Sequence, residues 1–579
     1  MSTFFIQQFG CRATQADGAA LERQLLDRGC TPASDPSNAT IVVLNTCTVT
    51  ASADAQARDA IRKLHAQNPQ ARLIVTGCYA QRAPEELAAL PGVSWVVGNS
   101  HKPQIPALAA SLALVGAGLA PPPDLICAPE EQTLIPSEAR TSPPPSVFCE
   151  ENLLFPPDSP DAPFHSFVGA RHAVPALGKT PNLDEKSPPA QILTGNIFDH
   201  PEFLSAPIQG GESHHTRPIL KIQDGCNNRC SFCIIPFVRG KSRSLPPDAV
   251  IREIQRLTAE HPFEPANANL GQPILAVRSS DREIPVAQAL LPVPAFSFTS
   301  STSSNSFTSS QLRPAREVVL SGINLGTYGR DLSPRVEFID LLRRILDETT
   351  LERLRVSSIE PQDVTQDLID LFASTDRIAH HFHMPLQSAS DRILAAMHRW
   401  YRSEHYARRV ELIRDRLPHA ALGADVIAGF PGETESDHAA TVAFIEQRPF
   451  TYLHVFSYSS RPGTKAASLP NQVPAATIKR RARELRSLSE AKSAAFRRSQ
   501  IGRTKRVLTL HRDESVGTKH PGAEHTPALS SNYLRVQVPG IHPSNQWQDV
   551  LISAEEGNYV VCEPASTLRE SSVYSASLR

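Results

Sequence analysis

Two sets of three cysteines carry the chemistry in this sequence. The sharper set lies in KIQDGCNNRCSFC, where Cys226, Cys230 and Cys233 stand at CxxxCxxC spacing. Thiolates are soft ligands that select zinc or iron–sulfur centres. Structural zinc asks for a fourth protein ligand and for paired CxxC spacings, which this loop does not offer. Three thiolates on one short loop suit three corners of an iron–sulfur cubane and leave the fourth iron open. The second set is scattered. FIQQFGC, VVLNTC and LIVTGC are apolar runs that end in one or two small or polar residues and then Cys11, Cys47 or Cys78. If the runs are parallel strands of one sheet, their C-terminal ends share an edge, where ligands bind in open α/β folds. Three thiols then converge, again with no obvious fourth ligand. His65, mid-helix, and Cys30, after Gly29 at a helix end, read as structural.

The elements that position these thiols follow from periodicity. Residues 1–110 alternate strands (3–9, 41–45, 72–76, 93–98) with helices (15–28, 51–67, 83–90), which predicts a small parallel α/β domain. Residues 214–477 return to the same alternation, with strands near 217–223, 316–322, 353–360, 380–387, 421–430 and 452–459, and helices such as 336–347 and 404–416 between them. Six such units predict a partial (β/α)6 barrel, whose chemistry sits at the strand C-terminal ends. CNNRCSFC follows its first strand. A low-complexity insertion at 262–314 interrupts the barrel as a surface loop. Eighteen of the chain's 50 prolines fall in 121–213, which reads as a disordered linker or insertion. Residues 478–500 read as a basic connecting helix, and the stretch 478–506 nets +9. Short β patterns recur over 501–565 and predict a small β-barrel.

A chain of 579 residues with 40% apolar content supports about three or four domains. The net charge of −1 is no sign of a nucleic-acid or membrane partner, so local charge must carry that question. MSTFFIQQFG has neither a basic nor a long apolar region of a secretory signal, and the apolar stretch 105–120 is shorter than the roughly 20 residues of a spanning helix. These features lead us to expect a cytoplasmic protein whose ten cysteines serve metal or chemistry rather than disulfides.

With Phe232 before Cys233, the loop resembles the CxxxCxΦC signature of the radical S-adenosylmethionine (SAM) superfamily. The resemblance implies that the open iron binds SAM and that one electron cleaves it to a 5′-deoxyadenosyl radical. At matching strand ends, Ser321, Gly322 and Asn324 (in SGIN), Glu360, Gln387, and Ile427 and Gly429 (in IAGFPGE) would line the SAM pocket. Both cysteine sets together resemble the methylthiotransferase family, over about 1–110, 216–261 and 315–565. Its members join an N-terminal domain with an auxiliary 4Fe–4S cluster, a radical-SAM barrel and a C-terminal TRAM domain. NTCTVT, VTGCYAQ, LSGINLGTYG, SSIEP, DVIAGFPGETE and LHVFSYSSRPGT are most similar to the branch that acts on N6-threonylcarbamoyladenosine (t6A) in tRNA. The isopentenyladenosine (i6A) branch more usually shows NTCSVR, and the ribosomal-protein branch NTCGFI. Thr14, Ala389 and Ser530 depart from the family pattern, and none is a cysteine position.

The resemblance implies transfer of a methylthio group to carbon 2 of t6A beside the anticodon. One SAM would methylate a sulfur held at the Cys11/Cys47/Cys78 cluster, and a second would supply the radical. Cys47, Cys226, Cys230 and Cys233 are then catalytic, and all six cysteines are ligands of two 4Fe–4S clusters. The i6A-tRNA and ribosomal-protein reactions remain the alternatives. The implied partners are the tRNA anticodon loop and a reduced electron donor such as flavodoxin or ferredoxin, with no membrane partner. The +9 segment, Arg239, Lys241 and Arg243 beside the cluster loop, and Tyr533 as a stacking residue are the candidate RNA contacts.

Overall fold

A computed structural model describes residues 2–116, 190–200, 204, 216–259, 314–511 and 525–564. Cys127, Cys149, nearly all of the expected insertion 262–314 and most of the Pro-rich stretch lie outside the described residues. Near the N-terminus, β1 (Thr3–Gln8), β2 (Thr31–Pro32), β3 (Ile41–Thr46), β4 (Arg72–Gly77), β5 (Val93–Gly98) and β6 (Gln191–Leu193) form a parallel sheet in the order β2-β1-β3-β4-β5-β6. Helices α1 (Arg12–Asp27), α2 (Ala51–Gln67), α3 (Cys78–Arg82), α4 (Pro84–Ala88) and α5 (Ile105–Gly116) accompany it. Every residue of β3 is buried, which explains its unbroken apolar run. Val42 and Leu44 pack with Ile61 and Leu64 of α2, while Ile41 and Val43 pack with Leu21 and Leu25 of α1. One expected boundary is corrected. The linker does not run to 213, because β6 extends the sheet beside β5 and Ile197 after it is buried. Three residues with Gln191 and Ile192 exposed form too short an edge strand for periodicity to reveal.

The partial barrel has six parallel strands: β7 (Ile219–Asp224), then, after the two-residue antiparallel β8 (Arg243–Ser244), β9 (Glu317–Gly322), β10 (Arg353–Val356), β11 (His381–His383), β12 (Ala421–Ala428) and β13 (Tyr452–Ser457). Single bridges Leu354↔Ile378 and Ser358↔His383 join the β10 and β11 ladders. Helices α6 (Ile235–Arg239), α7 (Pro247–Thr258), α8 (Phe338–Glu348), α9 (Gln366–Ala373), α10 (Asp391–Ala396), α11 (Ser403–Arg416) and α12 (Glu435–Gln447) lie between strands. α8 shows why they cover the barrel: Phe338, Leu341, Leu342 and Ile345 recur at helical spacing and all are buried. α13 (Ala475–Arg498) leads to β14 (Thr504–Thr509), β15 (His525–Ser530), β16 (Arg535–Pro539), β17 (Trp547–Glu556) and β18 (Tyr559–Pro564), a closed barrel in the order β14-β15-β16-β18-β17.

Two buried charge clusters lock these parts together. At the base of the large barrel, Glu317 bonds Arg355 (2.7 Å) and Arg353. Both arginines also donate to carbonyls at the end of β15, Arg353 to Leu529 (3.1 Å) and Arg355 to Ser530 (2.9 Å). Between α1 and β7, Asp17 bonds Lys102 (2.9 Å), Arg239 (3.0 Å) and Lys221, and Asp224 bonds Lys221 (3.0 Å) and Arg239 (3.0 Å). All five side chains are buried. Burial alone would raise both carboxyls, but Arg239 and the lysines hold them well below the usual carboxylate range. A depressed native value stabilises the fold above the unfolded value near 3.9 and is lost as pH falls. The contribution of this junction is therefore fully present from about pH 5 upward, begins to fall near pH 4 and is lost as pH drops towards the depressed native values. Asp17→Asn leaves Lys102, Lys221 and Arg239 facing one carboxylate and costs about 3–5 kcal/mol at neutral pH, read from urea unfolding.

Candidate functional site

Neighbouring strands β1, β3 and β4 deliver Cys11, Cys47 and Cys78 to one edge. Two glycines make the approach possible. Gly10 (φ +101°) precedes Cys11, and a Cβ there would lie 2.4 Å from the Cβ of Cys47. Gly77 (φ +104°) precedes Cys78, and a Cβ there would lie 2.2 Å from the Thr46 carbonyl oxygen. Cys11 is exposed, while Cys47 and Cys78 are buried. Burial pushes the Cys47 thiol up to about 12, and the neighbouring thiols of Cys78 and Cys11 add to it. Thr14 Oγ1 lies 3.6 Å from Cys11 Sγ, and Asn99 Nδ2 lies 3.6 Å from Cys78 Sγ. The flanking NTCTVT residues have separate duties. Thr48 donates to Asp54 (2.7 Å) and Thr50 caps α2 by accepting from Ala53 N (3.2 Å), whereas Val49 is 45% exposed.

The barrel set is pinned by its loop. Cys226 N donates to Gly240 O (3.1 Å), Cys233 N to Cys230 O (3.1 Å), and Ser231 Oγ to Ala396 O (2.8 Å). Asn228 N donates to Cys226 Sγ (3.4 Å), and Asn324 Nδ2 lies 4.0 Å from it. Arg399 Nη1 donates to Cys230 Sγ (3.4 Å) and its other amine bonds Glu360. Burial pushes Cys233 up to about 12, helped by Cys230 and Cys226. Among the described residues, ligand atoms all within 4.8 Å of one another occur in the trio His383, Asp425 and His454, and neither cysteine set is that tight. The all-thiol donor sets fit 4Fe–4S centres.

Of the pocket residues expected, several gather at the loop. Ser321 and Gly322 end β9, and Asn324 N donates to Gln223 Oε1 (2.7 Å) while its buried Oδ1 has no hydrogen-bond partner. Glu360 reaches Cys230 through Arg399. Phe232 meets Phe430 edge-on (6.4 Å, 81°) in a cluster with Ile427. Gln387 (φ +61°) acts through its backbone, accepting from Ile427 N (2.9 Å) and donating to Asp425 O (2.7 Å). Gly429 lies against Ile478 of α13, where a Cβ would come within 2.3 Å, so it serves the junction with that helix.

The two cysteine sets meet across one interface. Cys78 packs with Ile234, the residue after Cys233, and with Val238 of α6, and Asn99 also donates to Val238 O (2.7 Å). Three expected RNA contacts are corrected. Arg239 is buried on Asp17 and Asp224, so it is not open to an anticodon loop. Tyr533 stacks on His381 (4.5 Å, 15°) at the base of the barrel rather than offering a free face. Much of the +9 segment is neutralised: Arg480 and Arg481 pair with Glu435, Arg481 with Glu433, Arg497 and Arg498 with Glu555, and Arg506 with Glu352. Arg399 and the Asp17 cluster were not singled out in the sequence, because nothing local marks a lone arginine or a pairing across more than 200 positions.

Residues 3–98 match the family described as Uncharacterized protein family UPF0004, and residues 313–445 match the Radical SAM superfamily. The chain is 28% identical over 550 residues to the threonylcarbamoyladenosine tRNA methylthiotransferase MtaB of Aquifex aeolicus, covering 94% of this chain and 99% of that protein. It is 29% identical to the protein of the same name from Bacillus subtilis, covering 85% and 81%. It is also 29% identical to the tRNA-2-methylthio-N(6)-dimethylallyladenosine synthase of Syntrophobacter fumaroxidans, covering 87% and 84%. The radical-SAM match begins after the cysteine loop, but the register Ile219↔Val319 places β7 and that loop in the same barrel. The chain thus joins a UPF0004 domain to a Radical SAM domain and is similar over most of its length to proteins named as tRNA methylthiotransferases.

Proposed function

We propose that this radical SAM tRNA methylthiotransferase acts on t6A, converting it to ms2t6A. The observation that carries transfer chemistry is the shared interface, where Cys78 packs on the two residues' side chains that follow the barrel loop, Ile234 and Val238. Cys226, Cys230 and Cys233 would hold one 4Fe–4S cluster with SAM, and Cys11, Cys47 and Cys78 the other, supplying a carbon-centred radical and a sulfur for an unactivated C–H bond. The chain's own residues do the positioning. The Asp17 cluster fixes α1 to the barrel, and Arg461 of the barrel bonds Asp54 (2.6 Å) beside the Cys47 loop. Arg399 places a cation at Cys230, and Phe232 closes the loop against Phe430. A reduced flavodoxin or ferredoxin is the proposed electron source, and no described helix is long and apolar enough to cross a membrane.

The choice of t6A is supported by NTCTVT, in which Val49 alone of the residues after Cys47 is solvent-exposed, and by the relatives named for t6A. Relatives named for the dimethylallyl nucleoside favour i6A as the second reading. Nucleosides of tRNA from cells lacking and then regaining this protein decide between them. Return of ms2t6A is expected, and return of the methylthio group on i6A alone overturns the proposal.

A further inference from the structure

The lumen face of β13 carries Tyr452, His454 and Phe456 at alternate positions, while Leu453 and Val455 between them pack into the core of the barrel. Tyr452 reaches across β12 over Gly423, where a Cβ would lie 2.1 Å from its ring, and its hydroxyl meets His381 Nε2 (2.7 Å) and His383 Nδ1 (2.9 Å) of β11. Two residues further along β12, Asp425 pairs with His383 Nε2 (2.9 Å) and with Nδ1 of His454 (3.3 Å), its partner in the β12–β13 register. Burial would raise the Asp425 carboxyl, yet these hydrogen bonds hold it well below the usual carboxylate range. An ionised carboxylate only accepts, so both facing ring nitrogens carry protons. His454 is thereby held through Nδ1, and Nε2 of the neutral ring is left as an acceptor. The side chain of His454 is 57% exposed, against 6% for His383, so this nitrogen is within reach of a ligand. Phe456, which stands level with Ile427 in the register, is also exposed.

Both strands lead from this point to groups of the reaction. β12 continues from Asp425 to Ile427, and Gln387 N donates to Asp425 O (2.7 Å), so the pair lies beside two residues expected in the SAM pocket. β13 continues from Phe456 to Ser459 and Arg461, which hold the loop after Cys47: Ser459 Oγ accepts from Ala51 N (3.1 Å) and Arg461 donates to Thr48 O (3.3 Å). His454 and Phe456 therefore line the strand that joins the lumen to the auxiliary thiols.

We propose that His454 Nε2 accepts a hydrogen bond from the threonyl hydroxyl of t6A while Phe456 stacks on the base, and that this contact selects t6A over i6A. The inference rests on the substrate reading given above. The arm of t6A carries a hydroxyl that can donate, whereas that of i6A is an apolar prenyl group. Laid against His454 and Asp425, the prenyl group would take water from Nε2 and from the carboxylate without replacing its hydrogen bonds. Stacking is indifferent to the arm, so Phe456 sets affinity and His454 sets the choice.

The test compares the reconstituted enzyme on two anticodon stem-loops, one carrying t6A and one carrying the same nucleoside with the threonyl hydroxyl replaced by hydrogen. The wild type is expected to prefer t6A by about tenfold or more in kcat/KM. His454→Phe keeps a ring and removes the acceptor, and should bring t6A down to the level of the analogue. His454→Gln, whose carbonyl oxygen can accept, should retain part of the preference. The Kd of each stem-loop should show the same loss of discrimination, a readout independent of turnover, and the iron content of both variants should equal that of the wild type. Phe456→Ala should lower kcat/KM on both stem-loops by similar factors. No wild-type preference for the hydroxyl, or an equal loss on both stem-loops in His454→Phe, overturns the inference while the substrate reading stands. Wild-type turnover of an i6A stem-loop but not of t6A overturns the substrate reading and the role of His454 with it.

Discussion

Cys47→Ala abolishes methylthio transfer while cleavage of SAM continues. Cys47 lies at the end of β3, between Cys11 on β1 and Cys78 on β4, and is 5% exposed. The substitution removes the central donor of one thiol set. It leaves Cys226, Cys230 and Cys233 with their loop hydrogen bonds and Arg399 unchanged. Fold loss is not the expected cause of the effect, because truncating a thiol at a sheet edge removes one sulfur and no hydrogen-bonded pair on which β3 depends. The β3 ladders to β1 and β4 are backbone bonds. Three measurements check this. Iron should fall by about four atoms per chain, one cubane's worth. Reductive formation of 5′-deoxyadenosine should persist, and methylthiolated nucleoside should fall to background. Loss of both activities would mean that the two cysteine sets do not have separate roles.

The two thiol sets are legible in the sequence because they rest on local patterns. IVVLNTC shows a strand buried on both faces that runs into a thiol, and CNNRCSFC shows three donors on one loop. Both depend on spacing within about a dozen residues. What the spacing cannot show is pairing between distant segments. Arg239 reads as a surface cation next to a cluster loop, and it is buried because Asp17, 222 positions earlier, meets it there. Tyr533 reads as a free aromatic on a small β-barrel, and it is occupied because His381, from another domain, lies against it. The +9 segment reads as uniformly free positive charge, and part of it is paired because the fold brings Glu433, Glu435, Glu352 and Glu555 to it. In each case charge or ring type was read correctly and its partner was not visible. Thr14, a departure from the family pattern, is a milder case. It is buried, with Arg239 Nη2 3.3 Å and Cys11 Sγ 3.6 Å from its hydroxyl, so the change falls beside a proposed ligand and keeps a polar contact.

Arg399→Leu should eliminate SAM cleavage and methylthio transfer together, the complement of Cys47→Ala. Arg399 is 7% exposed, and it bonds Cys230 Sγ, Glu360 and the Tyr401 hydroxyl (3.3 Å), with its guanidinium over the Tyr401 ring at 4.9 Å. Burial already raises the Glu360 carboxyl above its ordinary value, and Arg399 is the main force opposing that rise. Without the cation, Glu360 faces the thiols uncompensated, and taking one partner from a buried pair costs about 3–5 kcal/mol. The same loss removes the positive charge that favours a thiolate at Cys230, where burial otherwise favours the neutral thiol. Ligation needs the thiolate, so loading of the barrel set should fail while the Cys11, Cys47 and Cys78 set still loads. Iron should again drop by about four atoms per chain, but now 5′-deoxyadenosine formation disappears as well. Double substitution Arg399→Leu with Glu360→Gln removes the uncompensated carboxylate and separates the two causes. Recovery of folding stability without recovery of iron assigns Arg399 to the thiolates, whereas recovery of both assigns it to Glu360. Full iron content and normal SAM cleavage in Arg399→Leu itself would show that the thiols need no buried cation.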